Sequence, residues 1–125
     1  MFKRTLLCLL VILTMAIFSG NASAVGNTAM LANIILNLNH YPTDAEKAEL
    51  KGMIDSTATS ANQKIIAQAM INLRHSATDA DKSRLKTIID DADAPANERD
   101  LASILYKLNH KPSSADRVVL KGMID

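Results

Sequence analysis

Three histidines, His40, His75 and His110, follow one another at intervals of 35 residues. An imidazole can ligate a transition metal, bond the free carbonyls at a helix C-terminus, or change charge near neutral pH. The spacing bears on which of these applies. Equivalent positions in stacked helical units stand about 8–10 Å apart, whereas imidazoles sharing one zinc each need a nitrogen about 2.0–2.1 Å from it. No unit carries a second histidine at i+3 or i+4. The expectation is therefore a helix-end role for each histidine and no metal site. A metal- or pH-responsive role for His40, His75 and His110 is the alternative.

Asp90, Asp91 and Asp93 form the one acidic cluster. A calcium loop of the EF-hand kind would add a turn glycine and a distant glutamate. Both are missing, so these residues read as a helix end and the cap that follows it. The sequence has no G-x-S-x-G, H-E-x-x-H or glycine-rich phosphate loop. Its Ser, His and Asp residues follow the repeat, while catalytic groups are usually single and asymmetric. The sequence predicts a protein that is not an enzyme and holds no cofactor.

The histidines belong to a longer repetition. Leu38-Asn39-His40-Tyr41-Pro42-Thr43 matches Leu108-Asn109-His110-Lys111-Pro112-Ser113, with Leu73-Arg74-His75-Ser76-Ala77-Thr78 between them. Residues 25–55 and 95–125 share 15 of 31 positions without a gap. The units are 25–59, 60–94 and 95–125. In the first part of each, apolar residues fall at i, i+3, i+4, i+7: Leu31, Ile34, Ile35, Leu38; then Ile66, Ala69, Met70, Leu73; then Leu101, Ile104, Leu105, Leu108. That spacing is one face of a helix. The helix ends near the histidine, and in two units a proline two residues on cannot continue it. A second helix opens at Thr43-Asp44-Ala45-Glu46, a capping box, with Thr78 to Asp81 and Ser113 to Asp116 as shorter-armed versions. Its buried face is Leu50, Met53, Ile54 and their equivalents, ending in Leu120, Met123 and Ile124. Pro95 suits the first turn of the fifth helix.

A turn of about three residues makes each helix pair an antiparallel hairpin. One hairpin cannot bury its apolar face alone. The expected fold is all-α: three tandem 35-residue helical hairpins, six helices, stacked as a short α-solenoid or a compact bundle. The period is close to that of tetratricopeptide repeats, but their Trp-Leu-Gly and Tyr positions are absent.

Residues 1–24 read as a cleaved signal peptide. Lys3 and Arg4 precede an apolar run over residues 6–18, and Ala22-Ser23-Ala24 is an A-x-A cleavage site. The run falls short of the roughly 20 residues of a membrane span. The mature chain, 25–125, is expected in the periplasm or outside the cell, without stable membrane insertion. It loses Lys3 and Arg4, leaving 12 basic against 13 acidic residues, and it has no cysteine. The charges are interspersed, without the basic stripe of a nucleic-acid binder.

The departures from the repeat suggest where a partner would bind. Val118-Val119 replaces Ala48-Glu49 and Ser83-Arg84 on a face that is polar in the other units, and Tyr106 stands where Ile71 does. The expected role is a protein-binding or scaffolding module for a protein or peptide, with self-association into a homo-oligomer included. A small inhibitor or immunity-type protein is the second reading. Gly52 and Gly122, inside helices, suggest close helix approach.

Overall fold

The computed structural model describes residues 26–125. The signal peptide expected over 1–24 lies outside them. The described residues form six helices and no strand: α1 over 26–36, α2 Asp44–Asp55, α3 Ala61–Ile71, α4 Asp79–Asp90, α5 Ala96–Lys107 and α6 Ser114–Ile124. The all-α class follows the apolar periodicity. Among the described residues no helix is long and apolar enough to cross a membrane.

Side chains set the helix starts. The Thr43 hydroxyl accepts from the Glu46 N–H, and Glu46 returns to the Thr43 N–H at 2.7 Å, closing the capping box on α2. Ser60 and Gln63 close a second box on α3. Thr78 and Ser113 cap α4 and α6 through the hydroxyl alone. Pro95 sits one residue earlier than the sequence suggested, at the N-cap of α5 rather than in its first turn.

The apolar faces close a single core. Leu31, Ile35, Ile66, Met70, Leu101 and Leu105 have no exposed surface, nor have Leu50, Leu85 and Leu120 on the alternate helices. Truncating any one to Ala would cost about 2–5 kcal/mol, through lost burial and the cavity left behind. The face predicted for α6 is less complete: Ile124 remains 37 % exposed.

Helices α1, α3 and α5 run side by side in one direction. At their N-terminal ends the buried Gln63 amide donates to Thr28, and the buried Glu98 carboxylate accepts from Ser60 and Asn62 at 2.9 Å each. At their C-terminal ends the backbones of the three histidine loops hydrogen-bond to one another. The His40 N–H donates to the His110 carbonyl at 3.1 Å, joining the first loop to the last. Helix α2 packs on α3, and α4 packs more extensively on α5 than on α3. The expected three-residue turn is longer, spanning 72–78 between α3 and α4, because the helix stops before the histidine. Leu38, Leu73 and Leu108 remain buried in these loops.

Gly52 and Gly122 do not mark close helix approach. A Cβ added at either would meet nothing within 4 Å, and both positions are exposed.

Candidate metal centre

After each first helix the chain crosses to the next cap, and in the second and third units a polar pair spans the crossing. Asn72 donates to the buried Asp81 carboxylate at 3.0 Å, and the equivalent pair, Lys107 with Asp116, forms an ion pair at 3.1 Å. Pro42, Ala77 and Pro112, two residues after each histidine, are buried beneath the loops. Between these anchors the backbone must reverse. It does so at the histidine itself, with φ of 79° at His40, 71° at His75 and 70° at His110. They are the only non-glycine residues with positive φ among those described. An L-residue in that region is held there at a cost of order 1–3 kcal/mol. Glycine normally fills such positions after a helix, and none stands in any of the three loops. The Lys111 N–H donates back to the Asn109 carbonyl at 2.9 Å, closing a three-residue turn about His110.

The side chains converge. Ring centroids lie 5.1 Å apart for His40 with His75, 5.1 Å for His40 with His110, and 4.8 Å for His75 with His110. One nitrogen from each ring can be chosen so that all three lie within 4.8 Å of one another. The spacing expected from stacking, about 8–10 Å between equivalent positions, is therefore wrong for these residues. It assumed translation from unit to unit, whereas the loops meet at one point. The expected helix-end bonds are also not what the rings make. The ring nitrogens bond each other, His75 Nδ1 to His40 Nδ1 at 3.3 Å, and the Asn109 side-chain oxygen, to which His110 Nδ1–H donates at 2.7 Å.

This donor set fits a transition ion. Tetrahedral zinc with nitrogens about 2.0–2.1 Å away has an N···N edge of about 3.3–3.4 Å, the separation that His40 and His75 already show. The widest pair has to close by a little over an ångström, within reach of the broad χ2 torsion of imidazole. His75 and His110 are exposed and His40 is half-buried, so an ion can enter from solvent. His110 Nδ1 lies 2.7 Å from the Asn109 side-chain oxygen, a contact of the kind that orients metal-bound histidines. The triad stands on the loops that follow the C-terminal ends of α1, α3 and α5, whose dipoles favour a nearby cation. Three neutral nitrogens and no carboxylate suit zinc, copper, nickel or cobalt, and not calcium or magnesium.

The other candidates lie elsewhere. Asp90 accepts from Lys86 at 3.0 Å, which raises the lysine pKa above its ordinary value chiefly through that hydrogen bond. The Asp91 carboxylate accepts from the Asp93 N–H at 2.9 Å. Both contacts belong to the end of α4 and the turn after it. Val118 is 71 % exposed, Val119 41 % and Tyr106 39 %. Lys82 Nζ lies 6.0 Å from the centre of the Tyr106 ring.

Residues that the sequence did not single out complete the surroundings. A cavity of about 800 Å³ opens beside His75, lined also by Tyr41, Lys47, Asn72, Arg74 and Thr78. A search for similar protein families, curated proteins and solved structures found no match to this chain.

Proposed function

We propose that this protein binds one divalent transition ion, zinc foremost, on His40, His75 and His110, as an exported and non-catalytic binding protein of the periplasm or the extracellular space. The observation that carries the reading is the coincidence of strain and convergence. The three positive-φ residues are all histidine, and their rings meet at one point. Backbone outliers persist where surrounding structure holds them, and they cluster at functional sites. Each 35-residue repeat supplies one of the three histidines, so one repeated residue becomes three donors.

Titration calorimetry with Zn²⁺ tests this. The expected result is one ion per chain. Structural zinc sites bind with about 10–16 kcal/mol shared over four ligands, so the loss of one imidazole should weaken binding by about a hundredfold to a thousandfold. His40→Asn, His75→Asn and His110→Asn are the suitable variants, since Asn tolerates positive φ. Equal affinity in wild type and the triple variant would remove the metal reading.

A second reading, a docking surface for a protein or peptide on α6, is supported by the 71 % exposure of Val118. It uses residues separate from the triad, and the two roles are compatible.

A further inference from the structure

We propose that the fourth position of the bound ion takes a small oxyanion, seated in the cavity beside His75 and held by Lys47 and Arg74; this rests on the triad binding a metal. Three protein ligands leave a four-coordinate ion one open position. With neutral imidazoles the ion keeps its full double positive charge, and a donor carrying negative charge completes the site best. No carboxylate belongs to the triad that could do so.

The cavity supplies the complementary chemistry. Its volume, about 800 Å³, is that of a small-molecule site. Its lining contains Lys47 and Arg74 and no aspartate or glutamate. Neither cation belongs to an ion pair among the described residues. The Lys47 ammonium rests 5.6 Å from the centre of the Tyr41 ring, which places the charge on the cavity wall. Arg74 immediately precedes the ligand His75 in the chain, so the loop that brings one metal donor also brings one guanidinium. A guanidinium offers paired N–H donors to a carboxylate or phosphate. Asn72, Tyr41 and Thr78 add neutral polar groups. An anion reaching the ion with one oxygen would have its remaining oxygens on the side of Lys47 and Arg74. Because the lining is drawn from the loop after α1, the first turn of α2, the end of α3 and the loop that follows it up to the N-cap of α4, the arrangement is one-sided, unlike the triad.

Cobalt substitution tests the proposal on the full chain. Co²⁺ is titrated first, and its visible absorption reports a tetrahedral nitrogen site. If no such bands develop and no zinc binds, the triad reading itself has failed. With Co²⁺ bound, inorganic phosphate and citrate are titrated in separate arms, which distinguish phosphate from carboxylate as the preferred oxyanion. A saturable change in the bands is expected in at least one arm. The double variant Lys47→Gln/Arg74→Gln should bind Co²⁺ as wild type does while its anion midpoint rises about tenfold or more, for two lost charge-assisted contacts. Bands that do not respond to either anion, or equal midpoints in wild type and variant, would overturn the proposal. So would loaded protein that light scattering finds dimeric, with the fourth donor coming from a second copy.

Discussion

Replacing His40, His75 and His110 together by glycine removes the triad and also relieves the backbone beneath it. An L-residue in the left-handed region costs about 1–2 kcal/mol, and the observed φ values of 70–79° place all three histidines there. Glycine returns that cost at each position but loses about 0.5–1 kcal/mol to greater freedom of the unfolded chain. The ring contacts, at centroid distances of 4.8–5.1 Å, are lost as well, and such pairs contribute about 0.5–1.5 kcal/mol when buried and less in these solvent-facing loops. Summed over three positions the backbone terms favour glycine by about 0–4.5 kcal/mol, and the lost ring contacts subtract from that. The matching alanine variant keeps the strained backbone, loses the rings and falls below wild type. Zinc shifts the comparison toward wild type. At a hundredfold excess over its dissociation constant an ion bound only to the folded state adds about 2.7 kcal/mol, or about 10–20 °C in melting temperature for a domain of this size, and it adds this to wild type alone. Thermal melts of the three proteins, with chelator and with zinc, read both rankings. A glycine variant less stable than the alanine variant in chelator would refute the reasoning, because the backbone at these positions would then not carry the strain that their positive φ implies.

Two other regions carry predictions of their own. Gly52→Ala and Gly122→Ala should each stabilise the protein by about 0.5–1 kcal/mol, since the added methyl groups meet open space; a fall in the urea midpoint for either would contradict the geometry. Val118→Glu and Val119→Glu should leave folding stability within about 0.5 kcal/mol, as exposed substitutions do. Light scattering should show any self-association of wild type disappearing in both, and assembly that persists would place the contact elsewhere.

The helices were legible because their signals are local. Apolar residues at helical spacing, such as Leu31, Ile34, Ile35 and Leu38, and hydroxyl caps such as Thr43 and Thr78, act within a few residues of themselves. Their expected roles are those seen. The path of the chain between helices was less legible. Whether three similar units translate or rotate past one another depends on packing between residues far apart, and an identical 35-residue period serves either arrangement. Assuming translation separated the histidines, while rotation gathers them. A clue was present: each loop must reverse direction after its helix, and none contains glycine, so the residue at the same register in all three, histidine, has to take the left-handed conformation. Lys47 and Arg74 gave no such clue. Exposed cations on helical repeats are ordinary, and only the folded loops place these two beside His75. Gly52 and Gly122 misled for the opposite reason, because a conformational liability in the sequence has no packing requirement behind it.

The hydrogen bond from His40 to the His110 carbonyl has a consequence for how firmly an ion can be kept. In the unfolded chain the three imidazoles are separate monodentate ligands on long flexible tethers, with effective concentrations in the millimolar range or below. On the proposed reading the folded chain would make them one tridentate ligand set, and the pair that completes it joins the first loop to the last. Retention of the ion therefore measures closure. Cutting the chain between units, or loosening the last helices from the first, would leave every histidine in place and still turn a chelator into three weak ligands.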